Sequence, residues 1–83
     1  MKERTILSEK VSLSGYMIIE YALTERALAD RMSYSIEIRM GKDSAKLPDV
    51  TWDREKAFEL FCKFRNGKVT PISAREVMED LLP

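Results

Sequence analysis

The sequence predicts an α+β domain: an antiparallel sheet of three or four strands, followed by two helices packed on one of its faces. Three observations predict it. Apolar residues in the first half of the chain recur with period two, those in the second half recur with period 3.6, and turn chemistry (Ser14-Gly15, then Gly41-Lys42-Asp43) separates the strand segments. Hairpin-linked strands pair antiparallel, and helices gathered at one end of a chain cover one face of such a sheet.

The first strand is read over residues 5–13. Leu7, Val11 and Leu13 share a face that Glu9 interrupts. The second spans 15–24. Met17, Ile19, Tyr21 and Leu23 lie on one side, with Tyr16, Ile18, Glu20 and Ala22 on the other, so this strand is apolar on nearly both faces and belongs in the middle of the sheet. The third, residues 32–41, has the plainest alternation: Met32, Tyr34, Ile36, Ile38 and Met40 against Ser33, Ser35, Glu37 and Arg39. A short fourth strand at 44–47 carries Ala45 and Leu47 inward, and Pro48 ends it or holds it at an edge. The connection "TERALADR" is long for a hairpin, and its composition suits either a loop or one helical turn.

A helix over residues 53–66 follows. Thr51 or Asp53 suits its N-cap, Lys63 and Arg65 suit its last turn, and Gly67 suits a left-handed C-terminal position. Ala57, Leu60, Phe61 and Phe64 form its stripe, which Phe58 and Cys62 widen. The last helix spans 73–82. Ser73 and Glu76 match a capping box, and Ala74, Val77, Met78, Leu81 and Leu82 keep helical spacing. About ten residues of helix are marginal alone in water, so this segment must dock. Four large apolar side chains fully buried would contribute roughly 6–12 kcal/mol, comparable to the net stability of a small domain. Docking on the chain's own sheet satisfies both surfaces, and docking on a second copy or another protein is the alternative.

Composition narrows the function. Eighty-three residues hold one core, so residues 1–83 are read as one domain. Fourteen basic and fourteen acidic residues cancel, which gives no general attraction for nucleic acid or anionic lipid. A single cysteine, Cys62, rules out an internal disulfide. The start lacks a continuous apolar signal segment and no stretch is long enough to cross a membrane, so a cytoplasmic protein is expected. Histidine is absent, which removes the commonest general base, metal ligand and partner of a nucleophile. No cofactor or metal is expected.

The remaining candidates are modest. Cys62 sits between Phe61 and Lys63 with no base to activate it, and reads as a packed thiol. Glu79-Asp80 and Asp53/Glu55 could pair for acid–base work, but they fall on polar helix faces. Lys63, Arg65 and Lys68 stand beside Phe61 and Phe64, a pattern of single-strand binders that a helix C-terminus also favours. Asn66-Gly67 has no phosphate-loop context. Tyr16 and Ile18, with Ile6, form an apolar patch on the sheet's outer side, next to a Glu20–Arg39 cross-strand pair.

The segments "SYSIEIRM" and "LPDVTWDREKAFELFCKFRNGKVTPISAREVMEDLL" resemble a family of small uncharacterised bacterial domains from Firmicutes. The resemblance rests on Tyr34, Ile36 and Ile38 of a strand, on Asp49 and Asp53, on Asn66, Val69 and Pro71 of a link, and on Val77, Asp80 and Leu81 of a closing helix. It covers about the last fifty residues, with one extra residue between Asn66 and Val69. It implies kinship of fold and no activity.

The expected function is therefore a small non-catalytic interaction module. Tyr16, Ile18, Phe58 and Cys62 are its contact surface, and an unidentified protein or a second copy of the chain is its partner. A ligand sensor with a pocket of Tyr21, Tyr34, Met40 and Trp52 between sheet and helices is a second reading. A weak nucleic-acid binder using Lys63, Arg65 and Lys68 is a third.

Overall fold

The computed structural model describes residues 3–81 and bears out the α+β reading. Four strands, β1 (Glu3–Ser14), β2 (Met17–Ala27), β3 (Met32–Met40) and β4 (Asp43–Thr51), precede two helices, α1 (Arg54–Asn66) and α2 (Ala74–Leu81). The strands form one antiparallel sheet in sequence order, with β1 and β4 at its edges. Gly15 and Gly41 take positive φ in the β1–β2 and β3–β4 turns, a conformation open to glycine without steric cost. Leu82, expected in the last helix, lies outside the described residues.

The core sits where the periodicities meet. Ile19, Tyr21 and Leu23 of β2, Tyr34, Ile36 and Ile38 of β3, and Leu47 of β4 are buried with Ala57, Leu60, Phe61 and Phe64 of α1. Tyr21 packs edge-on to Phe61, with ring centroids 6.4 Å apart, and its hydroxyl donates to the Val69 carbonyl at 2.8 Å. The four-residue stripe of α1 is fully buried, as its spacing predicts. In α2, Ala74 and Met78 are buried, but Val77 and Leu81 only partly so. Its docking is therefore worth less than the full-burial figure.

Several boundaries differ from the sequence reading, each for a physical reason. The first half of the "TERALADR" link is strand: β2 runs to Ala27, and a tight turn follows in which the Leu28 amide donates to the Arg31 carbonyl at 2.7 Å. Charge hid this strand, because Glu25 and Arg26 are neutralised by partners far away in sequence. Glu25, buried on the helix side, meets Arg4 of β1 and Arg54 of α1. Arg26, on the other side, meets Asp49 at 2.8 Å. Strand β4 likewise outruns the expected 44–47. A bulge carries it past Pro48, placing three residues opposite Ser35 between the Ile36–Leu47 and Tyr34–Thr51 pairs. Asp49 adopts a left-handed φ of 51° in this bulge. There its carboxylate accepts from the Ser33 hydroxyl at 2.6 Å while its amide donates to Ser35 Oγ at 3.0 Å.

The helix ends also shift. Asp53 rather than Thr51 caps α1, accepting from the Glu55 amide at 2.9 Å, and Thr51 Oγ1 accepts from the Asp53 amide. Gly67 is not the left-handed residue: its φ is −82°, and Lys68 takes a φ of 51° instead. One more helical residue lets the Val69 amide reach the Phe64 carbonyl and the Lys68 amide the Arg65 carbonyl, which is a Schellman closure. It also buries Val69 in the core. Glycine at 67 suits this closure because a Cβ there would lie 3.2 Å from the Lys63 carbonyl oxygen. The capping box does not form. The Ser73 hydroxyl turns back to Thr70, 3.1 Å from its Oγ1, because a turn over Thr70–Ser73 precedes α2.

Candidate functional site

The helices cover one face of the sheet and stop short of one end of it. The β2–β3 ladder begins at Glu20, so Met17, Ile18 and Ile19 pair with β1 alone. Beyond Ile19 the β1–β2 hairpin projects as a two-stranded ribbon. Its residues from Val11 to Ile19 carry no charge. At its tip Tyr16 is 98% exposed, Ile18 53% and Met17 42%, while Leu13 is half-buried against the core. Met17 was expected on the dry face. Its side is correct, but cover ends before it. Ile6, expected beside Tyr16 and Ile18, instead occupies the β1 bulge between Thr5 and Leu7 and packs against the core.

Phe58 and Cys62 fall elsewhere, on the half-buried flank of α1, where the Arg54 guanidinium lies 5.4 Å from the Phe58 ring centre. The sequence-predicted contact surface is thus two separate places, of which the hairpin tip is exposed and the α1 flank half-buried. Met17 is also exposed at that tip, whereas Leu13 is half-buried and packs against the core. The sequence signal of this exposure is the uncharged run Val11–Ile19, which outlasts the reach of β3.

The outer face of the sheet is polar. Lys10, Glu20 and Arg39 form one cross-strand row of alternating sign, and Ser8, Ala22, Glu37 and Lys46 form the next. Glu20 and Arg39 are direct neighbours, yet the Arg39 guanidinium lies 3.9 Å from Glu37 instead. A shallow depression of about 180 Å³ opens over Ala22 between Glu20, Glu37 and Arg39. At the opposite end from the hairpin tip, Lys46 of β4 reaches Glu3 of β1 at 2.5 Å across this face. Ser33, Ser35 and Thr24 are buried there, and Ser33 and Ser35 bond to Asp49. Asp49's carboxyl is held below the ordinary range, first by the Ser33 hydroxyl and then by Arg26.

The four residues proposed for a ligand pocket do not meet in one. Tyr21 and Tyr34 are buried in filled core, and burial raises the Tyr21 hydroxyl above its ordinary pKa. Met40 ends β3, whereas Trp52 lies at the opposite end of the sheet, exposed, with the Arg31 guanidinium 4.0 Å above its ring. Neither the depression lined by Glu20, Ala22, Glu37 and Arg39 nor the cleft between β4 and α2 is lined by any of the four.

The cations proposed for nucleic acid are partly engaged. Arg65 donates to Glu9 of β1 at 2.6 Å, an ion pair that raises its pKa, and Lys63 lies 3.7 Å from Glu59. Lys68 is exposed on the α1 closure, and Phe61 and Phe64 are core. Among the described residues no cluster of carboxylates and thiol is placed to hold a metal ion, and no helix is long and apolar enough to cross a membrane.

A model of the family described as "family of unknown function (DUF6514)" matches residues 2–83. The chain belongs to that family. The match spans nearly the whole chain, so β1 and β2 with their projecting hairpin are as much part of the family domain as the last fifty residues on which the sequence resemblance rested. No curated protein and no solved structure matches the chain.

Proposed function

We propose that this member of the family is a non-catalytic protein-interaction module of the bacterial cytoplasm, and that its contact element is the β1–β2 hairpin tip formed by Tyr16, Met17 and Ile18. One observation carries the reading: the exposed apolar side chains Tyr16, Met17 and Ile18 are consecutive at the tip of the β1–β2 hairpin, within the uncharged run Val11–Ile19 and before β3 joins the sheet. Exposed patches of this kind favour association, since each Å² withdrawn from water is worth about 25 cal/mol. The absence of histidine supports the non-catalytic part, and the unpaired thiol of Cys62 supports a reducing compartment. The pairing of Arg65 with Glu9 and the neutral charge speak for a protein partner over nucleic acid. That partner is another protein or a second copy of the chain.

The test is photocrosslinking. A benzophenone amino acid is placed at position 16 in one sample and at position 56, on the exposed face of α1, in another, and each is irradiated in lysate of the source cells. A discrete adduct at 16, absent at 56 and lost on Ile18→Glu, is expected, and its mass distinguishes another protein from a second copy. Equal adducts at both positions, or none at 16, would defeat the reading.

A further inference from the structure

The two edges of the sheet are finished differently. At β4, Pro48 has no N–H and the Asp49 amide is committed to Ser35 Oγ, so this edge offers little backbone to an added strand. Strand β1 has no proline in its 12 residues, none of them is buried, and no described strand lies beyond it. Every second residue of such an edge turns its N–H and C=O away from its own sheet. Ile6, Leu7, Val11 and Leu13 pack against the core but are only half-buried, so the helix side of this edge is also open in part.

The order of charges along β1 says what fits it. Glu3, Arg4, Glu9 and Lys10 run acid, base, acid, base. Turned end for end against a second β1, Glu3 stands opposite Lys10, Arg4 opposite Glu9, Thr5 opposite Ser8 and Ile6 opposite Leu7. A two-fold axis through the sheet keeps every residue on its own face, so residues set opposite each other must share a face. In a regular strand Arg4 and Glu9 would point to opposite faces and this register would fail. The extra residue at Ile6 removes the conflict. Arg4 pairs with Glu25 and Glu9 with Tyr21, both on the helix side, as Ile6 and Leu7 are. Glu3 pairs with Arg26, Thr5 with Thr24, Ser8 with Ala22 and Lys10 with Glu20, all on the outer side. Both copies carry the bulge at the same level, so the two strands keep step across it.

We infer that β1 pairs antiparallel with β1 of a second copy of the chain, about a two-fold axis between Ile6 and Leu7, joining two four-stranded sheets into one. On the outer face a row then crosses the junction from Arg26 and Glu3 of one copy to Lys10, Glu20 and Arg39 of the other, and its sign alternates at every step. On the helix side Glu25 and Arg4 of one copy meet Glu9 and Arg65 of the other, again alternating. Glu3, Arg4 and Glu9 each have an ion partner in their own chain (Lys46, Glu25 and Arg65) and gain a second across the junction. Exposed pairs contribute little energy each, so the charges set the register, and the backbone ladder with the covering of Ile6 and Leu7 supplies the affinity. Registers centred on Glu9 or Lys10 would set like charges opposite each other. Residues beyond Lys10 run past Glu3 of the other copy, so the hairpin tips stay outside the junction and the inference does not rest on them.

Sedimentation equilibrium of the full chain tests it. The parent is expected to show a monomer–dimer equilibrium with Kd below about 1 mM. Glu3→Lys alone sets lysine against lysine twice in each dimer, and Lys10→Glu alone sets glutamate against glutamate, so each is expected to raise Kd at least about tenfold. An equimolar mixture of the two variants restores opposite charges at both places in a mixed dimer, and is expected to bring Kd back to within about threefold of the parent. Both positions are exposed, and circular dichroism checks that each variant keeps its fold. Hydrogen exchange of the parent needs no variant: protection of β1 amides between Glu3 and Lys10 is expected to grow with protein concentration. A chain that stays monomeric at about 1 mM, β1 protection independent of concentration, or single variants that the mixture fails to restore would overturn the inference. A dimer lost on Ile18→Glu and untouched by Glu3→Lys would overturn it too, while leaving the hairpin tip as the contact element.

Discussion

Two ends of one strand make the informative comparison. At Ile19, Tyr21 and Leu23, β2 is fully buried, paired to β1 throughout and to β3 from Glu20 onward, and packed against α1. Three residues earlier, at Tyr16, the same apolar run is almost wholly in water. The residues at the two ends are chemically alike. What separates them is where β3 and the helices stop. Apolar character thus marks surface that must be kept from water, and neighbouring elements decide whether the fold does it or a partner must.

The comparison can be broken most forcefully from its buried side. Phe61→Ala removes a fully buried ring that packs on Tyr21, and is expected to cost about 3–5 kcal/mol, enough to unfold much of the population of a domain this small. Far-UV circular dichroism against urea checks it, and an unchanged midpoint would mean that α1 is not the cover described.

A smaller effect is expected at Tyr21. Tyr21→Phe removes the bond to the Val69 carbonyl and is expected to cost about 0.5–1.5 kcal/mol by the same measurement. The pH dependence has a definite sign. The folded-state pKa is raised, so the unfolded chain gives up this proton first. The stability contributed by the neutral phenol is complete below the ordinary tyrosine value near 10 and is lost as pH rises above it. The Phe variant should lack that part of the alkaline decline.

Asp49 gives the mirror image on the outer face. Its folded pKa is lowered, by the Ser33 hydroxyl above all, so its contribution is present above the ordinary carboxylate value and fades as pH falls below about 4. Asp49→Asn is expected to flatten that acid limb and to leave stability above pH 6 lower than in the parent. Melting temperatures between pH 2.5 and 7 check both.

Much of this architecture was legible in the sequence because it rests on local periodicity. The alternation Tyr34-Ser35-Ile36-Glu37-Ile38 could satisfy only a strand with one dry face, and Ala57, Leu60, Phe61 and Phe64 could form only one helical stripe. What was hidden depended on partners distant in sequence. Glu25 and Arg26 read as loop or helical turn until Arg4, Arg54 and Asp49 are brought to them, and Arg65 read as a helix-terminal cation or a nucleic-acid contact until Glu9, 56 residues away, is placed beside it. The β4 bulge was hidden because a left-handed Asp49 is stabilised by Ser33 and Ser35 across the sheet and by nothing adjacent. Of the exposed apolar surface at the hairpin tip, Tyr16 and Ile18 could be named from their position beside a turn. The separation of Phe58 and Cys62 from them required the placement of α1.

The central claim is that the hairpin tip is apolar surface the fold does not use. Urea unfolding of Tyr16→Ser/Ile18→Thr tests it most directly. Substitutions at surface that supports nothing else stay within about 0.5 kcal/mol, so the account predicts a midpoint and slope indistinguishable from the parent chain. A loss above about 1.5 kcal/mol, the scale of burying such side chains, would show that the tip is packed within the folded monomer and would contradict it.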